Sequence, residues 1–497
     1  MMKSMLLMRL RSIGDIYLDN GPFRPNDTTS SQLNKGSWNT YANVLYVDQP
    51  LGTGFSLVST DSYDQSIPEV SAHFLTFIDK FLDTFNQFKE ADIYLAGKGY
   101  GGVFVPYFAQ EMLKRSNATS KYNVKGLIMG NPWLDPWHQY HAHHQFSVEK
   151  NLLKDDSQKK DSEDLLAKCH QEQRTTGIRI RSATCDKILQ NVLDHTLFSQ
   201  DGAMHCVNQH DIRLHDVYPK CGITWPYEQA NLSMYLRNPK VVKSLHANIK
   251  LTGWTECNGR IASALNTDTS EPPVKILPEL LEKIPLLLYS GDNDLAYNHL
   301  GHELLLANLT WGGEVGMGDA PVLPWFVNGT QVGTYQSARN ITYVLVSQAS
   351  HAVGYDQPLP ELDMVNRFMG LGDKSIAEVP SWVGTSGAPF GWEDPTGLGS
   401  GKWNHYYAAT GVVALLVVGG LVGLAGFLWY RRNRENAKAR FAALRSEDDN
   451  ELDELVAESP ALFAADRHFD VGDSEEEEED YNRAHDDETQ ERKSSEH

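Results

Sequence analysis

The chain is poor in cysteine, in positive charge and in long apolar runs. Its five cysteines, Cys169, Cys185, Cys206, Cys221 and Cys257, include no C-x-x-C pair, which argues against a zinc site. No metal and no cofactor are expected. Lys and Arg number 44 against 65 Asp and Glu, a formal charge of −21, which argues against nucleic acid as a partner. The charge is uneven: from Arg431 onward 10 Lys and Arg face 22 Asp and Glu, so the C-terminal tail carries −12 of it. One further absence is more telling. No G-x-S-x-G occurs anywhere, so the chain lacks the serine which that motif presents on a sharp strand-to-helix turn.

The surroundings of that missing serine are nevertheless present. Asp92 to Ala96 reads as an apolar strand, and Tyr100 to Lys114 reads as a helix. Between them lies Gly97-Lys98-Gly99-Tyr100-Gly101, with Gly99 where the nucleophile would stand. Glycine suits the strained backbone of such an elbow, so the turn is expected to survive.

Around this turn the chain alternates strand and helix, which implies a mostly parallel sheet covered on both faces. Asn43 to Asp48 reads as a buried strand, and Asn20 to Trp38 as loop. Val70, Phe74, Phe77, Ile78, Phe81, Leu82 and Phe85 recur at helical spacing, and the phenylalanines read as core. Further strands are expected over 124–129, 284–290 and 341–346, with a closing helix from Leu359 to Met369. The polar stretch of about 131–258 breaks the rhythm and reads as a helical cap inserted over the sheet's C-terminal edge. Its cluster of His138, His141, His143 and His144 is expected to form a polar face rather than a metal site. The result is an α/β-hydrolase fold over 1–380.

Beyond it come a linker at 381–405, a transmembrane helix at 406–430 and an acidic, disordered cytosolic tail at 431–497. Ala408 to Tyr430 carries no charge over 23 residues, enough to cross ~30 Å of hydrocarbon. Trp403, Tyr406 and Tyr407 mark one interface, and Trp429 and Tyr430 the other. Arg431, Arg432, Arg434, Lys438 and Arg440 follow at once, which puts the C-terminal side in the cytosol. Six N-x-[ST] sequons, at Asn26, Asn117, Asn231, Asn308, Asn328 and Asn340, all precede the span, as a glycosylated lumenal domain requires. Met1 to Arg11 makes a poor export signal, its apolar stretch being short and broken by Arg9 and Arg11. Either an upstream segment is missing or the span itself acts as the signal, and the hydrolase domain is expected to lack its first strands. Aromatic patches at Phe463 and Phe469 are candidate signals for cytosolic sorting adaptors.

A hydrolase of this kind needs an acid and a base after the nucleophile, in the order Ser, Asp or Glu, His. Ser290-Gly291-Asp292-Asn293-Asp294 follows a late strand, and Asp294 lies past the turn where it can reach the sheet edge. Ser350-His351-Ala352 follows the next strand and offers the base.

With these residues in place the chain resembles the serine carboxypeptidases. The matching stretches run from Asn43 to Ser56, Ile93 to Gly97, Gly130 to Asp135, Ser290 to Asp294 and Ala349 to Val353. The membrane span and acidic tail are similar to those of the fungal pheromone-processing carboxypeptidases of the late Golgi. That resemblance implies removal of C-terminal Lys and Arg from secretory precursors, a trans-Golgi network location and a single-pass type I topology. It implies Asp294 as acid, His351 as base and Gly99 at the nucleophile's position. Lys98 falls where the family has a Glu that helps bind the substrate's terminal carboxylate, and Gly354 where it has a Pro. The family's W-N-G-G-P-G-C stretch, which supplies oxyanion donors and a cysteine, is absent from this sequence; the partner of that cysteine looks like Cys257. The remaining four cysteines could pair as Cys169–Cys185 and Cys206–Cys221. Losing a triad member typically costs on the order of a millionfold in turnover, so activity is expected to be absent or severely impaired. The alternatives are a pseudoenzyme that binds peptide C-termini, with Lys98 meeting the carboxylate, or the product of a decayed or wrongly assembled gene.

Overall fold

The structure, a computed structural model, describes residues 5–10, 14–25, 30–59, 62–119, 121–248, 250, 253–254, 258–371 and 380–384, with side chains omitted at 5–10 and 117–119. The expected linker start is corrected, because Ser381–Val383 pairs with the sheet's edge instead of leaving it. The rest of the linker from 385, the transmembrane segment, the tail, Asn26, Cys257 and the side chain of Asn117 lie outside the described residues. No helix among the described residues is long and apolar enough to cross a membrane.

Nine described strands form one sheet. In chain order they are β1 (Met5–Leu10), β2 (Asn43–Val47), β3 (Asp92–Lys98), β4 (Asn123–Gly130), β5 (Leu286–Gly291), β6 (Leu323–Val327), β7 (Thr330–Ala338), β8 (Ile341–Val346) and β9 (Ser381–Val383). They lie side by side as β9-β6-β7-β8-β5-β4-β3-β1-β2. From β8 to β2 every pairing is parallel. The far edge, β9-β6-β7, joins β8 by antiparallel pairings. With helices on both faces this is the α/β-hydrolase type of sheet.

Two expectations need correction here. The N-terminal stretch, noted only as a poor export signal in a domain expected to lack its first strands, contributes a strand to the sheet. Met5–Leu10 is an inner strand, in register with Asn43–Val47 on one side and with Asp92–Gly97 on the other. Between two parallel neighbours such a run has ladder partners on both sides, whatever its fitness as a signal. The sheet therefore does have a strand in this place. Asn20 to Trp38 is also not all loop: Phe23–Pro25 and Ser31–Leu33 pair as a hairpin.

The helix expected over the phenylalanine repeat is α1 (Ile67–Thr84). Val70, Phe74, Ile78 and Leu82 are buried along one face, and Phe74 stacks on Phe108 at 4.1 Å. Phe77 and Phe85, expected in the core, are exposed, because they lie off that face. The elbow's helix is α2 (Gly101–Thr119).

Between β4 and β5 stand α3 (Pro136–Glu149), α4 (Asp156–Thr176) and α5 (Ala183–His195). A three-stranded antiparallel sheet, Phe198–Gln200, Ala203–Asn208 and Asp211–Val217, follows them. The last strand alternates inward and outward, a period-2 signal inside a region read as helical. Disulfides Cys169–Cys185 and Cys206–Cys221 are present, as the resemblance implied.

Two buried polar groups hold the ends of β3 and β5. Lys98, the last residue of β3, places its ammonium 2.7 Å from Asp19 Oδ2 and 3.4 Å from Asp15 Oδ1, and all three side chains are almost wholly buried. Asp19 Oδ1 also accepts from the Gly354 backbone N–H at 2.9 Å, a donor that a proline at 354 would remove. After β5, Ser290 Oγ lies 2.9 Å from His302 Nδ1 on α6 (His299–Asn308), and His302 Nε2 lies 2.8 Å from the Pro132 carbonyl. A carbonyl only accepts, so Nε2 carries the proton and Nδ1 accepts from the serine.

Replacing Lys98 by Met should destabilise the domain by about 3–5 kcal/mol, because two buried carboxylates lose their cation. Chemical denaturation would show a lower midpoint; an unchanged midpoint would refute the role of the ion pair. Burial pushes His302 down from 6.5 to about 4. Between those values the unfolded chain binds a proton that the folded chain refuses, so stability falls as the pH drops from about 6.5 to about 4. His302→Gln should flatten that part of the stability–pH curve, measured by denaturation at stepped pH.

Candidate active site

The elbow is built by backbone before any side chain matters. Gly99 has φ +56°, a left-handed conformation that favours glycine. Its N–H donates to the Gly130 carbonyl at 3.1 Å, and its carbonyl accepts from Trp133 N–H at 2.9 Å and Gly102 N–H at 2.9 Å. The turn is thus bolted to the end of β4. Gly102 is needed for a different reason: a Cβ there would stand 2.4 Å from Pro132 Cβ. A Cβ on Gly99 would point at His351, 3.0 Å from Nε2 and 3.1 Å from Cε1.

Asp294 and His351 follow β5 and β8, which pair in parallel, so both stand at the sheet edge where the elbow stands. His351 Nδ1 lies 2.7 Å from Asp294 Oδ2. Asn131, just past β4, donates from Nδ2 to Asp294 Oδ2 at 2.9 Å and accepts the Gly291 N–H on Oδ1 at 3.2 Å. Tyr297 N–H donates to Asp294 Oδ1 at 3.1 Å. Asp294 is fully buried, and burial pushes its carboxyl up from 3.8 to about 6, against the opposing pull of His210. Geometrically, a buried carboxylate holds an imidazole whose Nε2 faces an elbow residue with no hydroxyl, an arrangement able to orient a base but offering it no alcohol. Burial raises the phenol of the neighbouring Tyr100 well above its usual range.

The structure therefore brings Gly99, Asp294 and His351 together. Lys98 joins them in sequence but not in exposure. Its ammonium points beneath the elbow and is held by Asp19 and Asp15, so the expected meeting with a peptide carboxylate would require breaking a buried ion pair. The histidine cluster does not converge. His138 Nδ1 meets Asp135, His143 Nε2 meets the Ala296 carbonyl, His144 Nδ1 meets Ser162, and His141 stacks with His170.

Of the sequons with described side chains, Asn328 is exposed at the tip of the β6–β7 hairpin, where Asn328 and Gly329 both have positive φ. Asn308 is exposed near the end of α6, and Asn231 is half-buried. Asn340 is exposed and donates from Nδ2 to the Leu281 carbonyl at 2.9 Å.

Sequence reasoning missed three contributors. Asn131 lies in a stretch noticed only for its resemblance, and His302 gave no signal. His210 sits in the turn between two strands of the small sheet, with its ring 4.8 Å from that of His351. The His210 carbonyl accepts the His351 N–H at 2.9 Å. A cavity of ≈ 450 Å³ opens beside the elbow, lined by Tyr100, Trp133, Arg181, Asp186, His210 and Tyr297 among others.

Comparison with known proteins agrees with this geometry. Residues 11–370 match the family model described as serine carboxypeptidase. The pheromone-processing carboxypeptidase kex1 of Aspergillus oryzae is 37% identical over 520 residues, covering 95% of this chain and 82% of that protein. The corresponding protein of Tuber melanosporum is 36% identical, covering 93% of this chain and 81% of its own length. Among solved structures, the crystal structure of Kex1(delta)p, a prohormone-processing carboxypeptidase from Saccharomyces cerevisiae, superposes with a TM-score of 0.69 at 30% identity. That match covers 74% of this chain and 83% of the other. An elbow, an acid and a base at the ends of parallel strands, together with these matches, place the chain in the serine carboxypeptidase family.

Proposed function

We propose that this chain is a serine carboxypeptidase-like protein of the late secretory pathway that has lost the family's hydrolytic turnover. One observation carries the reading: the position aimed at His351 Nε2 is occupied by a glycine. Acyl transfer on this scaffold needs an oxygen at that point to attack the scissile carbonyl and give its proton to the histidine. The acid and the base remain, but the atom they act on is missing. The loss is expected to be on the order of a millionfold relative to an intact triad.

The relatives' names supply the substrate class, peptides or proteins presented by their C-termini, with pheromone precursors as the example. Trimming of C-terminal Lys and Arg is the family activity that a serine at 99 alone would restore only in small part, because this sequence holds no W-N-G-G-P-G-C stretch to supply oxyanion donors. The elbow and the adjoining cavity support retained contact with such C-termini. Lys98 is not the anchor in this reading, because Asp19 and Asp15 already hold it. The uncharged run from Ala408 to Tyr430 and the basic residues after it support a single span, with the hydrolase domain in the lumen of the trans-Golgi network.

A serine-directed fluorophosphonate should leave the full chain unlabelled, and the chain should release no Lys or Arg from peptides. Labelling of the unaltered chain would overturn the reading. Gly99→Ser should gain the label, at a cost of about 1–3 kcal/mol for a side chain in the left-handed region, and Gly99→Ser combined with His351→Ala should lose it again. For the anchor, the chain should stay with the membrane pellet through alkaline carbonate extraction and shift in mobility after endoglycosidase. Release into the supernatant would exclude the span.

A further inference from the structure

We propose that His210, Asp294 and His351 form a binding site for one divalent transition-metal ion of the zinc type. Among the described residues they are the group of His, Cys, Asp and Glu side chains close enough to share an ion, with donor atoms all within 4.8 Å of one another. The donor set suits a borderline ion: two imidazoles and one carboxylate.

The spacing is near what such an ion demands. Zinc takes nitrogen and oxygen ligands at ~2.0–2.2 Å in a tetrahedron, which sets neighbouring donors roughly 3.3 Å apart. His351 Nδ1 and Asp294 Oδ2 are 2.7 Å apart, and His210 Nδ1 and Asp294 Oδ1 are 4.0 Å apart. The two histidines face different oxygens of one carboxylate, so an ion between them requires the side chains to rotate until one donor of each lies roughly 3.3 Å from the others, starting from separations within 4.8 Å. The ion takes the place of the proton that His351 Nδ1 shares with Asp294 Oδ2. That proton leaves to solvent, both imidazoles bind neutral, and the carboxylate binds ionised.

The surroundings have the features of a held site. Asn131 Nδ2 and the Tyr297 N–H fix the carboxylate, and the His351 N–H to His210 carbonyl bond ties the two histidine loops together. Asp294 is fully buried, and its ion-pair partners among the described residues are these two histidines, so a cation would offset the cost of its burial. The cavity beside the elbow is lined by His210 and Tyr297 and gives a path of entry. In a chain with serine at 99, an ion on His351 would hold the base away from its task. Gly99 removes that conflict.

The test uses the full chain in detergent micelles, stripped with a chelator and titrated with Zn²⁺ by calorimetry and with Co²⁺ by visible absorption. One ion should bind per chain, cobalt should show the intense bands of a four-coordinate site, and the heat should vary with the buffer's ionisation enthalpy because a proton is released. His210→Gln should weaken binding by at least ~100-fold, since even supporting residues around metal sites cost 10- to 100-fold. His141→Gln, in the non-converging cluster, should bind as the unaltered chain does. X-ray absorption at the zinc edge of the unaltered protein needs no variant to fold and should show imidazole nitrogen with a carboxylate oxygen. Absence of stoichiometric binding, unchanged affinity in His210→Gln, or a zinc spectrum without imidazole would each overturn the proposal. Metal binding is read without turnover, so its failure would leave the loss of hydrolysis standing, and fluorophosphonate labelling would not by itself remove the metal site.

Discussion

The left-handed turn at Gly99 is the constraint on which the rest of the site depends. Its N–H and carbonyl are both spent on the end of β4 and the residues just after it. That fixes where β3 stops, where α2 begins, and which way a side chain at 99 would point. Because β3, β4, β5 and β8 run parallel, their C-terminal ends share one edge, and residues far apart in the chain, Gly99, Asn131, Asp294 and His351, meet there. The turn survives without a serine because its cost is borne by the backbone, and glycine lowers that cost.

Directly below the turn lies the other departure from the family pattern. A lysine buried at the end of a strand would by itself be severely unfavourable. It is accommodated because α-helical Asp15 and neighbouring Asp19 supply carboxylates at 3.4 and 2.7 Å. Gly354 joins the same arrangement by donating its N–H to Asp19. Two positions that look like unrelated departures in the sequence, 98 and 354, therefore act on one carboxylate. The ammonium beneath the elbow belongs to an internal ion pair, so Lys98 does not offer a surface to an incoming carboxylate.

Much of the site could be read from the chain because its signals are local. The strand–glycine–helix pattern around Gly99 and the apolar runs before Asp294 and His351 needed only periodicity and order, and those residues meet as expected. The missed features depend on partners distant in sequence. Met5–Leu10 is a strand because β2 and β3 offer it two ladders, which its own composition does not announce. His210 reaches the site because the small sheet folds its turn back against His351. Lys98 looked available because the sequence does not say that Asp19 lies beside it. The antiparallel edge was not foreseen, although Asn328-Gly329 is a local hairpin signal, and its two positive φ values show why those residues sit there.

The presence of Asp294 and His351 beside a glycine at 99 could be read as a trace of catalysis alone. The contacts here supply a reason that needs none. Asp294 holds Asn131 and the Tyr297 N–H, and Asn131 in turn receives the Gly291 N–H, so the carboxylate ties the ends of β4 and β5 together. His351 caps that carboxylate and hydrogen-bonds through its backbone to His210, joining the small sheet to the main one. Removing either would leave buried polar groups without a partner, a cost of about 1–3 kcal/mol for each neutral group and more for a charged one. By contrast Gly99 donates and accepts only through its backbone, so a change at its side chain leaves every one of these bonds in place. None of these bonds uses a side chain at 99, so the arrangement of Asp294 and His351 does not require one.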